Sequence, residues 1–282
     1  MKKFGKIMVI VLALATLIGA CFAFAACNDD SVKIGAQQGT TGLFYLQGNA
    51  DMNFSGYSNI SAKSYDSIGQ AVQDMINGNI SYVVGDVEVA KAAAADVGGA
   101  HIIDIPLSTE QYAIGVDKAQ PELLADINEV LAEMKADGSL AEIIANYDNE
   151  DYEPVGVPAG VQDSSKNQLV LATNAEFAPF ESKQGELFVG IDIEIAKRIA
   201  DELGMELVIK DMEFDSVVTS VGKNGIDIAL AGLTVTESRK VSVTFSDSYY
   251  DGSYQVIIVK DGDTTFDGCT TKEDVENILK SL

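Results

Sequence analysis

Two α/β lobes facing each other across a cleft are the architecture this sequence predicts, and three observations point there. Short apolar, β-prone runs without helical period alternate with amphipathic helical windows through residues 31–282. A pattern recurs: Tyr65-Asp66-Ser67-Ile68, a helical stretch, Asn77-Gly78 and a strand from Ile80 are echoed by Phe214-Asp215-Ser216-Val217, a helical stretch, Asn224-Gly225 and a strand from Ile226. Between the two halves lies 148–167, DNEDYEPVGVPAGVQDSSKN, which holds two of the five prolines plus Gly, Ser and acids and reads as a linker. The chain has 282 residues, 47% of them hydrophobic, which is enough for two modest cores. Each lobe sends strand ends to one crevice, where open α/β sheets hold their ligands.

The first 30 residues are targeting sequence. Lys2, Lys3 and Lys6 form a basic start, and 7–26 is an unbroken apolar and small-residue run that turns polar at Asn28-Asp29-Asp30, as a secretory signal requires. Twenty apolar residues would also suffice to span a bilayer uncleaved. The Ala25-Ala26-Cys27 end of the run resembles a lipoprotein box. It implies a signal over 1–27 and lipidation of Cys27, with Cys21 in Ile18-Gly19-Ala20-Cys21 as the alternative. Every version places the remainder outside the cytoplasm, near the membrane. The formal charge is −24, and loss of the three lysines leaves −27. No nucleic-acid partner is expected, because nothing would neutralise phosphates. Of three cysteines only Cys269 lies beyond the signal region, so no internal disulfide is possible there; with no basic partner nearby it reads as structural. One histidine, His101, without ligand-spaced partners predicts no metal site and no cofactor.

In chain order, 32–36 (VKIGA) is a strand followed by Gln37-Gln38-Gly39-Thr40-Thr41-Gly42 and an apolar helix start. Free N–H groups plus threonine hydroxyls make such a loop an anion seat, or an ordinary strand-to-helix connection. Without a Gly-Lys-Ser/Thr ending it is not a phosphate loop. Residues 65–76 predict an amphipathic helix and 80–84 a buried strand. Asp86, just past that strand, suits either an ammonium group or the N-cap of the helix that follows. Residues 111–116 predict a strand, then a long helix broken at Gly138 and a short helix over 140–147. After the linker, 169–172 is a strand, a helix ends at Gly204, 205–210 is a strand, and Phe214 opens the next helix. The stretch 226–250 begins with a buried strand over 226–230 and stops at Ala231-Gly232, where small side chains let something approach the backbone. Thr234, Thr236, Ser238 and Arg239 follow in a hydroxyl-rich turn, then a strand over 241–245. An arginine fork beside hydroxyls seats a small carboxylate, or is a surface arginine. Residues 254–260 are another strand, and a last helix starts at Thr271.

AGLTVTESRKVSVTFSDSYY resembles the signature of the bacterial extracellular solute-binding proteins of family 3, the amino-acid receptors of ABC importers. Thr173-Asn174-Ala175-Glu176-Phe177-Ala178-Pro179-Phe180-Glu181 resembles that family's opening motif, here in mid-chain, and GAQQGTTG its second ligand loop. The resemblance implies a two-lobed, periplasmic-binding-protein-like (type II) fold with a hinge. It covers nearly all of 31–282 with the segments in rotated order, implying a circular permutation: lobe B over 28–110 first, a hinge strand and helices packing on lobe A over 111–147, the linker 148–167 joining the old termini, lobe A over 168–258, and 259–282 returning toward lobe B. It implies that Arg239 and Thr234 hold an α-carboxylate from one lobe and Thr41 from the other, that Asp86 pairs with the α-ammonium, that Phe177 and Phe214 sandwich the ligand, and that Ala231, Gly232, Gly39, Gln37 and Asn174 also line the ligand site. The implied partners are a free amino acid, an ABC permease with its ATPase, and the membrane through a lipid anchor, with the protein a monomer on the outer face of the cell membrane. Asn174 where many members carry Asp, and Ala231-Gly232 where many carry a Ser pair, point to a polar or small amino acid. The same fold serves cyclohexadienyl dehydratases, for which Glu176 and Glu181 are the candidate acids, and sensory modules. A lobe-swapped dimer is the alternative to the monomer.

Overall fold

A computed structural model describes residues 31–149 and 151–282. The signal segment and both candidate lipidation sites, Cys27 and Cys21, lie outside the described residues. Among the described residues no helix is long and apolar enough to cross a membrane.

The chain builds two five-stranded sheets. The first half contributes β1 (Val32–Gln37), α1 (Thr41–Gln47), β2 (Ile60–Tyr65), α2 (Ile68–Ile76), β3 (Tyr82–Asp86), α3 (Val87–Val97) and β4 (Ala100–Ile103). β5 (Glu110–Asp117) then leaves for the other sheet, followed by α4 (Pro121–Asp137) and α5 (Ser139–Asn146). After β6 (Val157–Pro158) come β7 (Gln168–Thr173), β8 (Glu176–Phe177), β9 (Glu181–Gln184), β10 (Leu187–Val189), α6 (Ile191–Glu202), β11 (Glu206–Asp211), α7 (Phe214–Ser220) and β12 (Ile228–Ala229). The chain closes with α8 (Glu237–Lys240), β13 (Val243–Ser253), β14 (Gln255–Lys260) and α9 (Lys272–Ser281).

Both sheets follow one plan. In the first, β2, β1 and β3 run parallel, and β14 pairs antiparallel with β3 and β4. In the second, β11, β7 and β12 run parallel, and β5 pairs antiparallel with β12 and β13. The fourth strand of each sheet is therefore supplied by the other half of the chain. β14 lies wholly in the first sheet, so the crossing comes before Gln255, ahead of the expected break after 258. Likewise Glu110, expected in the first lobe, already opens the strand of the second.

Local chemistry sets the element ends. Ser67 caps α2 by accepting from Gln70 N–H at 3.3 Å, and Tyr65 is still paired in β2; the helix expected from 65 therefore starts at Ile68. Thr271 and Asp274 form a reciprocal capping box on α9. Thr236 caps α8, which winds the expected hydroxyl turn into one helical turn and delays the next strand to Val243. That strand does not stop at Ser246-Asp247-Ser248. It runs on to Ser253 through bulges, because β5 pairs along its whole length. β2, β4 and the β8–β10 meander had no clear sequence period, since their strands are short and half-exposed.

The linker is not a free tether. Val157-Pro158 adds an edge to β10, and Ala159 C=O accepts from Ile209 N–H at 2.8 Å. Tyr147 and Tyr152 both donate to Glu194 at the start of α6, at 2.7 and 2.8 Å. Two packed regions supply most of the core: one runs from α2 and α3 through β5 and α4 to β7 and α6, the other fills the far face of the first sheet with Ile34, Leu46, Val84, Phe266 and Leu279. Cys269 packs at the edge of the latter, and burial raises its thiol pKa. His101 sits in β4 with Nδ1 3.0 Å from Asp261.

Candidate functional site

The carboxyl ends of β1, β3, β7 and β12 meet at the junction of the two lobes, and the expected site residues lie on the loops that leave them. Gln37, at the end of β1, donates from Nε2 to Asn174 Oδ1 at 2.8 Å and to Asp66 C=O at 2.9 Å. Asn174 in turn donates to Met212 C=O at 2.9 Å. Thr41, in the first turn of α1, donates to the Thr234 hydroxyl at 3.4 Å. Gly39 has φ +75°, and its carbonyl accepts from Arg239 Nη2 at 3.2 Å. Three side-chain bonds thus tie the lobes across the cleft, which is closed.

Arg239 stands at the end of the first turn of α8. Nη1 donates to Thr234 C=O at 2.7 Å, and the guanidinium carbon lies 5.3 Å from the Phe214 ring centroid. The side chain is half-exposed overall, but its head is deep enough that burial lowers its pKa, opposed by the charges of Glu110 and Asp86. Phe214 stacks on Phe177 at 6.3 Å between centroids and 21° between planes, and both rings are buried. Gly232 lies against Phe177: a Cβ on it would come within 2.6 Å of Phe177 Cε1, and its φ is +54°. Its N–H is already given to Asp192 at 2.9 Å. Ala231 is buried in the second lobe's apolar cluster with Ala172, Phe214 and Leu233.

Asp86 occupies the N-cap position of α3 but makes no cap bond. Its Oδ1 instead accepts from the Tyr112 hydroxyl in a very short bond and from Ser253 at 3.3 Å. Tyr112 comes from β5 and Ser253 from the end of β13, the two segments nearest the crossings between sheets. Burial and the nearby Glu110 charge push Asp86 up to about 7, against the lowering pull of its hydroxyl donors.

Glu110, buried at the start of β5, accepts from Thr234 Oγ1 at 2.6 Å, Ser108 Oγ at 2.6 Å and Gln255 Nε2 at 3.0 Å. A hydroxyl has one proton. Having donated it to Glu110, Thr234 faces the cleft only as an acceptor, which complements an ammonium rather than a carboxylate. Sequence reading missed Glu110, Tyr112 and Ser253. The only signal was Glu110-Gln111-Tyr112 leading polar groups into an apolar strand, and their partners lie 124, 26 and 167 residues away.

Neither acid considered for catalysis belongs to this cluster. Glu176 is exposed, lining a cavity of about 430 Å³ at the mouth between Ala92, Ala93 and Lys183. Glu181 is fully buried beneath the second lobe's face. A second cavity of about 430 Å³ borders Glu110, Thr234, Phe54 and Lys272. Among the described residues no group of three or more His, Cys, Asp or Glu is placed to hold a metal ion.

Parts of this chain are similar to known proteins. Residues 169–281 match the model of the bacterial extracellular solute-binding proteins, family 3. The "Arginine-binding extracellular protein ArtP" of Bacillus subtilis (strain 168) is 39% identical over 99 residues, covering 35% of this chain and 39% of that protein. The "Histidine-binding periplasmic protein" of Salmonella typhimurium is 32% identical over 98 residues, covering 34% and 37%. Among solved structures, the arginine-bound form of domain 1 from TmArgBP is 35% identical with a TM-score of 0.30, covering 43% of this chain and all of that one. The chain thus spans about two fifths of the length of these curated relatives.

Proposed function

Because residues 169–281 belong to the bacterial extracellular solute-binding proteins of family 3, we propose that the chain is an extracellular amino-acid receptor of an ABC importer, its two lobes closing on a free amino acid that is passed to the permease. The observation that carries this reading is one cluster holding an arginine fork, Arg239, which lies over the ring of a stacked aromatic pair, and a buried carboxylate, Asp86, whose charge acts on it from the opposite lobe. That is the complement of a zwitterion: Arg239 for the carboxylate, joined by Thr41 once its hydroxyl gives up the 3.4 Å bond to Thr234, Asp86 for the ammonium, Phe177 and Phe214 for the apolar stem. Thr234 joins Asp86 as an acceptor for the ammonium, a change from the carboxylate part assigned to it by resemblance. Gln37 and Asn174 set the lobe-to-lobe register beside the stem, while Gly39 and Gly232 let the loops approach.

The charge balance refines the ligand. Among the described residues, Asp86 and Glu110 face Arg239, and the adjoining cavity adds Asp51 and Glu237 against Lys272, an acidic balance that favours a ligand carrying a second positive charge over the small or polar one expected from Asn174 and Ala231-Gly232. Arginine and histidine are named for the relatives. The order of the segments is that of a circular permutant, with 148–167 joining the former termini. Anchorage through Cys27, or Cys21, and a monomeric state complete the reading.

The test is a melting-temperature screen of residues 28–282 against the twenty amino acids, repeated with Arg239→Ala. A ligand at about 100 times its Kd adds roughly 2.7 kcal/mol of stability. Arginine, lysine or histidine should raise the melt by several degrees. Arg239→Ala should cost about 2–5 kcal/mol of binding by leaving the carboxylate buried and unpaired. A flat screen, or undiminished affinity in the variant, refutes the assignment.

A further inference from the structure

Beneath the second lobe's cleft face lies a pair of carboxyl groups that the ligand reading does not use. Glu181 on β9 and Asp192 in the first turn of α6 are both completely buried. Asp192 N–H donates at 2.9 Å to the carbonyl of Phe180, the residue before Glu181, and the two carboxyls lie close enough to act on each other's charge. Among the described residues, neither Glu181 oxygen nor Asp192 Oδ1 meets a hydrogen-bond donor. Neighbouring carboxylates buried without a donor repel each other, and one proton between them would remove that repulsion and supply a donor. The second Asp192 oxygen is differently placed: Oδ2 accepts from the Gly232 N–H at 2.9 Å and from the Tyr249 hydroxyl at 2.8 Å.

Both acids connect to the cleft through the Gly232 loop. Glu181 is the strand partner of Phe177, and Phe177 lies against Gly232. Gly232 leads to Leu233 and Thr234, and Thr234 C=O holds Arg239. The groups facing the pair are few. Asp192 and Tyr249 come from α6 and β13, and Asp211 comes from β11, where its charge is met by Lys183. No cation is among them.

We propose that Glu181 and Asp192 share one proton at neutral pH and act as the positioning pair for the Gly232 loop, setting the cleft's amino-acid affinity from beneath without touching the ligand. Glu181 is the proton's carrier and Asp192 the anion that fixes Gly232. Burial, then the Asp192 charge, raises the Glu181 pKa, and burial raises Asp192 to about 6. Removing the shared proton would set two anions side by side in the core and loosen the loop.

This inference rests on the receptor reading for its affinity arm but not for its protonation arm. Glu181→Gln keeps the shape and supplies an N–H in place of the proton. Infrared difference spectra between wild type and Glu181→Gln at pH 7 should show a protonated-carboxyl band lost in the variant. The folded state holds a proton that the unfolded chain releases above its ordinary glutamate range, so wild-type stability falls as pH rises from there. The melting-temperature gap in favour of the variant should widen across that interval. With L-arginine as probe, the ratio of variant to wild-type affinity should grow roughly tenfold per pH unit once the shared proton leaves, with an unchanged ratio at pH 6. No band difference, or a gap that stays constant with pH, overturns the proposal. Absence of any L-arginine binding in both proteins counts against the receptor reading, and the infrared result then decides the pair alone.

Discussion

Replacing Asp86 with asparagine should stabilise the ligand-free protein at neutral and alkaline pH. Asp86 is buried, with its pKa raised from 3.8 to about 7. The folded chain therefore keeps a proton that the unfolded chain releases, and stability falls as pH climbs from about 4 to about 7. A shift of about 3 units at roughly 1.4 kcal/mol each is worth about 4 kcal/mol at most, the Tyr112 and Ser253 donors already being counted in it. The amide in Asp86→Asn carries no charge, and the Tyr112 hydroxyl still has an amide oxygen to donate to. Urea denaturation of wild type and Asp86→Asn at half-unit intervals of pH would measure the difference. The gap should start near zero at the acid end and open to as much as about 4 kcal/mol at pH 8, roughly 10 °C in melting temperature for a domain of this size. The same variant should lose amino-acid binding, since the ammonium has lost its counter-charge. A gap that does not change with pH, or a variant less stable than wild type at pH 8, would refute the account of Asp86 as a buried acid held at a cost for its ligand.

Two further outcomes follow from the loop that carries the arginine. Gly232→Ala puts a Cβ within 2.6 Å of Phe177 Cε1 at a φ of +54°, which should cost about 1–3 kcal/mol in denaturant midpoint and weaken binding by misplacing the ring. Thr234→Val removes one of Glu110's three donors and should cost about 1–3 kcal/mol. Thr234→Ser should restore most of that, and an equal loss in both variants would mean that the methyl rather than the hydroxyl matters.

The strands and helices with a clear period were legible in the sequence: α4, α6, β1, β7 and β14 start and stop close to where apolar spacing and glycines put them. Half-exposed strands such as β2, β4 and β8 were not, because their two to six residues lack an apolar alternation to read. Within the site, the resemblance named the loops, but the residues that fix them were hidden by distance along the chain. Asp86 offered two readings, cap or counter-ion. The structure turns its carboxylate away from the helix toward Tyr112, which arrives from another sheet's strand. Glu110 decides what Thr234 can do, yet their contact spans 124 residues. Glu181 looked like a candidate acid because it follows a motif, and only its burial beside Asp192 takes it out of the cleft.

The exchange of fourth strands makes the two halves of the gene mutual completions. Cut within 148–167, the first half would own β5 with no neighbours to pair with, and its own sheet would end at β3 with β4 adrift. The second half would own β14 with nowhere to lie and would have lost the strand that joins β12 to β13. Each fragment would thus expose a strand-width gap whose best filler is the other fragment. Any change in either lobe's fourth strand is therefore a change in the half of the chain that builds the other lobe.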